Sequence, residues 1–253
     1  MQLKEENHIK WLEFDLLANF PRVKHGVFLR HGGQSLNPYS SLNLGPYVGD
    51  DPVAVAANHQ IVKNVLQLPS LVWAHQEHGN KIATITNPQQ PTQHEIPHAD
   101  ALATSHLGIG LMIGHADCQA AIFYDPVHHA VVNVHAGWRG SVQNIYAEAI
   151  AFMRAHYGSK PQDLLVCISP SLGPEDAQFV NYQTELPQSF WEFQVKSTYF
   201  DFWAISTMQL REEGILAHHI EIARISTYSQ PQDYFSYRRD RSTGRHGTIV
   251  MLL

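Results

Sequence analysis

The chain is short of cysteine, of basic charge and of long apolar runs, and each shortage removes a class of function. Two cysteines, Cys118 and Cys167, cannot build the disulfide framework of a secreted scaffold, so each thiol is read on its own surroundings. Lys and Arg number 17 against 23 Asp and Glu, a formal net charge of -6. Nucleic-acid binding driven by bulk charge is not expected, because phosphate neutralisation needs a basic face. No apolar run approaches the roughly 18–20 residues that span a bilayer. Met1 to Asn7 is polar and no signal-type apolar stretch follows it. The expectation is a cytoplasmic protein with no membrane partner.

What is present is an ordinary globular balance, 44% hydrophobic and 16% charged over 253 residues. There is no internal repeat and no long linker, so one domain over 1–253 is expected. Asn87 to His98 carries three prolines and reads as a surface loop. Asp51 as cap and Pro52 at the first helical position predict a helix over Val53 to Leu66. Short strands are predicted at Leu71–Ala74 and Lys81–Thr86. Apolar, β-branched runs predict further strands at Gly108–Gly114, Ala120–Tyr124, Ala130–His135 and Leu164–Ser169. Helical spacing predicts Ser141–Tyr157 and Asp201–Glu213, and Ile220–Thr227 and Thr248–Leu253 close the chain as strands. Strands come in groups as well as around helices. The expected fold is therefore α+β, a single layered domain with mixed sheets and flanking helices.

Seventeen histidines invite a metal reading, and their neighbours sort them. His78 (VWAHQEHGN), Cys118 (HADCQ) and His135 (NVHAGWRG) each sit at the end of an apolar strand beside small residues. Such positions hold a reactive group rigidly and leave room for a ligand. Two imidazoles and one thiolate suit zinc and would leave a fourth position open, as in catalytic zinc sites. The competing reading is a buried free thiol among satisfied core histidines. In His135-Ala-Gly-Trp-Arg-Gly a strand passes through glycines into a helix, and Arg139 beside those amides makes a phosphate or carboxylate site. The alternative there is a glycine turn with Arg139 in a structural ion pair, and Trp138 reads as packing.

Two motif matches are decoys. His94-Glu-Ile-Pro-His98 has the letters of a zincin helix, but Pro97 breaks the helix it needs. His75-Gln-Glu77 is half of the nucleobase-deaminase pattern, whose P-C-x-x-C half two cysteines 49 positions apart (167 − 118) cannot supply. A multicopper oxidase needs clustered copper ligands, and the sequence has no H-x-H pair. A single copper remains compatible with the three-ligand site, since Cu²⁺ outcompetes Zn²⁺ at most nitrogen sites.

Six segments in order, from about Arg30 to Leu253, resemble the YfiH family, also called the multicopper polyphenol oxidase family. They are SSLNLGPYVGDDP from Ser40, QEHG from Gln76, ADALAT from Ala99, HADCQ with HAGWRG, ISPSLGP from Ile168, and SYRRDRSTGRHG near the C-terminus. The resemblance implies that His78, Cys118 and His135 are the metal ligands, zinc or copper, and the catalytic centre. It implies a purine nucleoside enzyme, phosphorolysing adenosine, inosine, guanosine and methylthioadenosine and deaminating adenosine, with nucleoside and phosphate as its small-molecule partners. Arg30 and Asn43, in family-like segments, are expected to join Arg139 in holding substrate or phosphate, ahead of Arg238 and Arg239. His115 stands where the family has Thr, Glu175 and Asp176 where it often has cysteines, and Ser226 where it has Cys. Roles for His75, His115 and Cys167 stay open. One rival reading is a cysteine hydrolase with Cys118 as nucleophile and His135 as base, which in this family would edit UDP-linked muropeptides. The others are a mononuclear copper polyphenol oxidase and a metal-binding protein without turnover.

Overall fold

The computed structural model describes residues 1–86 and 93–253, with Gln93 and His94 as backbone alone. Among the described residues no helix is long and apolar enough to cross a membrane. The N-terminal segment forms elements that the sequence patterns did not predict: β1 (Gln2–Glu6), β2 (Ile9–Glu13), the short α1 (Asp15–Ala18) and β3 (Val23–Phe28). β1 is an outer strand whose charged side chains face solvent, the usual protection of an open sheet edge.

The next helix, α2 (Pro52–Leu66), starts as its caps dictate. The Asp51 side chain accepts the Val53 amide and Pro52 occupies the first turn, where its missing N–H costs nothing. β4 (Ser70–Ala74) and β5 (Ile82–Thr84) follow. The loop expected over Asn87–His98 is corrected in its second half. β6 (Gln93–Ile96) pairs in parallel with β4, while residues 87–92 lie outside the described residues. The H-E-I-P-H segment thus enters a strand, and the helix its motif needs is absent there.

β7 (Ala101–Thr104), β8 (Ile109–His115), β9 (Gln119–Asp125) and β10 (Ala130–Ala136) are buried at nearly every position. They read as continuous apolar runs because both faces of each strand are covered. The single helix expected over 141–157 is two. α3 (Trp138–Val142) ends before Asn144, which stands in the left-handed region at φ 52, and its side chain caps α4 (Ile145–Tyr157) by accepting the Ala147 amide. Asparagine is one of the few residues to adopt that conformation at low cost. The rest of the chain forms β11 (Leu165–Ile168), α5 (Tyr182–Glu185), β12 (Gln194–Lys196), β13 (Tyr199–Phe200), α6 (Phe202–Glu212), β14 (Ile220–Ile222), α7 (Tyr237–Asp240) and β15 (His246–Leu252). β14 is shorter than the strand predicted from Ile220 to Thr227.

Two mixed sheets result, in the orders β1-β2-β3-β15-β8-β4-β6 and β14-β11-β9-β10-β7-β5. Their facing sides share one core, with Val27, Leu111 and Val250 from the first packed with Ile122, Val131 and Leu165 from the second. Asn133 of β10 ties the sheets by donating to the Leu111 and Thr248 carbonyls at 2.9 and 2.8 Å. α4 and α6 cover the outer face of the second sheet and α2 that of the first. This is the mixed α+β architecture the sequence implied. It brings the ends of β4, β8 and β10 to one edge.

The core also holds histidines that are neutral by construction. His25 accepts the Phe14 amide at 2.7 Å and burial pushes it down to about 4; His246 accepts the Phe235 amide at 2.8 Å and burial pushes it to about 3. Below pH 6.5 the unfolded chain takes up protons that these folded imidazoles refuse. Their contribution is therefore complete above about pH 6.5 and lost as pH falls toward 4. At pH 5 each costs about 2 kcal/mol relative to neutrality. Urea midpoints at pH 7.5 and 5.0 are expected to fall accordingly, with a shallower fall in His25→Gln. A midpoint unchanged between the two would contradict it.

Candidate metal centre and its cleft

His135 closes β10, fully buried, and Cys118 lies half-buried in the turn between β8 and β9. His78 follows β4 in a turn that places it at φ 61. The three side chains offer one nitrogen, one sulfur and one nitrogen that all lie within 4.8 Å of one another, and the two imidazole rings stand 4.8 Å apart at 76°. This is the only such group of His, Cys, Asp and Glu among the described residues.

Asp100, just before β7, organises the centre. Its Oδ1 accepts the His135 Nδ1–H at 2.8 Å and the His78 amide at 2.9 Å, and its Oδ2 accepts the Gly79 and Glu77 amides at 2.8 and 3.2 Å. One carboxylate therefore fixes the His135 tautomer and the turn that carries His78, the usual support of a metal-bound imidazole. Burial works to raise the Asp100 carboxyl, but His135 and the amides outweigh it and hold it below the usual carboxylate range.

The donors fit a divalent cation. The buried Nδ1 of His78 has no hydrogen-bond partner. Burial, His135 and the nearby guanidiniums push His78 down to about 4, which keeps the imidazole neutral, the form a metal would need. Burial presses His135 down too, but Asp100 and the Cys118 sulfur overcome this and lift it to about 9. A cation at the centre would stand in the place of that proton. An N₂S set of borderline softness suits zinc or copper. Gly137 makes the space: a Cβ there would lie 2.4 Å from His78 Nδ1 and 3.2 Å from Cys118 Sγ.

The centre lies in the wall of a cleft of about 650 Å³. Its lining is partly aromatic, with Trp138 edge-on to Phe179 at 6.0 Å and Phe202 beside Phe179. The same lining brings in Arg139, Arg238, Arg241 and Arg245, with Arg238 5.8 Å over the Phe179 ring. Arg139 lies 4.5 Å over the Trp138 ring, and among the described residues it forms no salt bridge.

Two expected site residues lie elsewhere. Arg30 donates to the Ser40 and Pro231 carbonyls and stacks on Phe235, which makes it a strut between loops. Asn43 is fully buried and accepts the Gly45 and Arg245 amides at 2.9 and 2.8 Å. Arg239 is consumed by the Thr227, Tyr228 and Tyr234 carbonyls, whereas Arg238 lines the cleft. His115 bonds Thr248 at 2.8 Å and stands outside the donor group; His75 packs on Tyr47 at the rim. Burial raises the Cys167 thiol well above its ordinary range, so it is an inert core residue. Ser226 donates to Asp176 at 2.6 Å. Asp100, Arg241 and Arg245 carried no expectation, although an isolated Asp before the apolar run ALAT was a readable signal for a buried, partnered carboxylate.

The family model described as multi-copper polyphenol oxidoreductase laccase matches residues 24–253. A purine nucleoside phosphorylase of Bacteroides thetaiotaomicron is 30% identical, with 91% of each chain covered. One of Xylella fastidiosa strain Temecula1 is 32% identical, covering 88% of this chain and 90% of that one. Among solved structures, Bacillus licheniformis YfiH superposes with a TM-score of 0.89 at 26% identity over 99% of both chains. YlmD of Geobacillus stearothermophilus gives 0.88 at 27% identity, over 98% of this chain and 97% of that one. With this match along nearly its whole length, and with the donor group at one sheet edge, the chain belongs to the YfiH family, the group described as multi-copper polyphenol oxidoreductase laccases.

Proposed function

We propose that the cleft is the active site of a cytoplasmic, metal-dependent purine nucleoside phosphorylase that accepts adenosine, inosine, guanosine and methylthioadenosine and also deaminates adenosine. The observation that carries the reading is the convergence of His78, Cys118 and His135 on a cleft lined by both aromatic rings and guanidiniums. The relatives named purine nucleoside phosphorylase support it. The two free thiols fit a reducing compartment.

His78, Cys118 and His135 hold the metal, zinc or a single copper, which when bound supplies Lewis acidity to an oxygen or nitrogen of the substrate. Asp100 keeps His135 and the His78 turn in register. Trp138 and Phe179 offer a face for a purine, and Arg139 offers charge for phosphate. In phosphorolysis the bond from the ribose anomeric carbon to the base nitrogen breaks. A phosphate oxygen bonds that carbon, and the base leaves with a proton. Holding the two reactants together in one cleft removes most of the entropic cost of their meeting.

A second reading is favoured by one observation. Cys118, His135 and Asp100 also stand in the order nucleophile, base and orienting carboxylate, which is the arrangement of a cysteine hydrolase; the muropeptide substrate of that reading comes from the family resemblance alone. Chromatography of products from adenosine and inosine, with and without phosphate, separates the two. Wild type is expected to release adenine and hypoxanthine only with phosphate, and Cys118→Ala to lose at least 100-fold. Metal-loaded, folded wild type that leaves every nucleoside intact would transfer the reading to the hydrolase.

A further inference from the structure

The cleft holds more positive charge than its protein partners use. Arg139, Arg238, Arg241 and Arg245 line it, and the single carboxylate among its lining residues is Asp117. Asp117 is already engaged: Oδ1 accepts the Thr227 hydroxyl at 2.7 Å and Oδ2 the Arg238 amide at 2.6 Å. Among the described residues none of the four guanidiniums is in a salt bridge, although the net charge of the chain is -6. Arg139 and Arg241 are exposed and Arg238 and Arg245 half-buried; a half-buried guanidinium without a counterion favours an anion beside it.

Arg245 is the most constrained of the four. Its stem lies against the Gly45 backbone, where a Cβ would come within 2.5 Å of Arg245 Cγ, and Asn43 holds its backbone amide. Its Nη1 donates to the Thr243 and Gly244 carbonyls at 2.9 and 3.0 Å. That leaves Nε and Nη2 without a protein acceptor among the described residues, a half-used fork held rigidly at its other edge. A fork of this kind matches the paired oxygens of a phosphate. Arg139, 4.5 Å over the Trp138 ring, makes no side-chain hydrogen bond among the described residues. Both belong to the metal end of the cleft: the Gln143 side chain donates to the Arg139 and His78 carbonyls at 3.1 and 3.4 Å, and a Cβ on Gly114, four residues before Cys118, would lie 3.8 Å from Arg245 Cβ.

We propose that Arg245 and Arg139 form a subsite for a phosphate-type oxyanion beside the His78–Cys118–His135 centre, with Arg245 as the fixed fork. The phosphorylase reading supplies the identity of the anion, inorganic phosphate; the geometry supplies its place.

The test is calorimetric titration of metal-loaded protein with inorganic phosphate, run beside the phosphate KM for inosine. Arg245→Gln and Arg139→Gln are each expected to weaken phosphate binding at least tenfold and to raise the phosphate KM in step. Arg154→Gln, exposed on α4, is expected to match wild type. Arg245→Lys, which keeps the charge and loses the fork, is expected to fall between and decides the matter if the glutamine variant does not fold. Phosphate bound equally well by folded Arg245→Gln overturns the subsite, as does a wild type that binds none. Phosphate bound through Arg245 without phosphate-dependent base release leaves the subsite standing and removes the phosphorylase reading.

Discussion

Gly137→Ala is expected to remove metal binding and nucleoside turnover together while leaving the fold nearly intact. The backbone does not demand glycine here: φ is -74 and ψ 169, an extended conformation open to any residue. Space demands it. The added methyl would lie 2.4 Å from His78 Nδ1, 3.0 Å from its Cε1 and 3.2 Å from Cys118 Sγ. Carbon contacts are comfortable only near 3.5–4.0 Å. His78 cannot yield without leaving its place, because three amides of its turn are fastened to Asp100. Overpacking of this kind costs about 1–3 kcal/mol in stability. Its effect on the centre is larger, because two of three donors are displaced. Competition against a chromophoric chelator is expected to show zinc affinity down at least 100-fold, with an unchanged circular dichroism spectrum. Full zinc stoichiometry at wild-type affinity would show that the three side chains are not the ligands.

Asp100→Asn is expected to weaken metal affinity by roughly 10–100-fold, the usual effect of removing a carboxylate behind a metal-bound imidazole. The size of the effect follows from the four donors that converge on this one side chain. An amide of the same shape has one oxygen, and its NH₂ group faces donors in place of the other. At least one buried N–H loses its acceptor, at about 1–3 kcal/mol, and His135 loses the anion that fixes its tautomer. A lower melting temperature is therefore expected alongside the weaker metal. Alkylation of Cys118 by iodoacetamide reads the same event separately: a bound metal masks the thiol, so labelling of the variant is expected at metal concentrations that protect wild type. Equal protection of both proteins would reduce Asp100 to a loop fastener. If labelling is instead rapid in active, metal-free wild type, Cys118 acts as a nucleophile and Asp100 as the third member of a hydrolytic triad.

Much of the fold was legible from local signals. Asp51 and Pro52 announced α2, and the apolar runs at 108–114, 120–124 and 130–135 announced the buried strands, because caps and burial patterns act within a few residues. The errors arose where one local signal overrode another. Helical periodicity over 141–157 concealed the left-handed Asn144 that divides α3 from α4. The prolines near 88–97 concealed β6, which exists because β4 offers it a parallel edge. Charge-rich β1 carries no apolar pattern at all and is a strand through its pairing with β2.

The sequence by itself determined which residues could carry the chemistry: a thiol and two imidazoles at strand ends beside small residues, in segments similar to one family. The tertiary structure decided what each polar residue is for. Asp100 is 35 positions from His135 and 22 from His78, and no spacing rule links them. Only the arrangement of β7 beside β10 puts its carboxylate under both. Asn43 and Arg30 share the polarity of a binding residue, yet the fold uses them to fasten loops, and Asn43 serves the cleft only through the amide of Arg245, 202 positions away. Whether a guanidinium is a strut or a binding group depends on how many of its five donors the backbone has already taken, and that is settled by contacts across the chain.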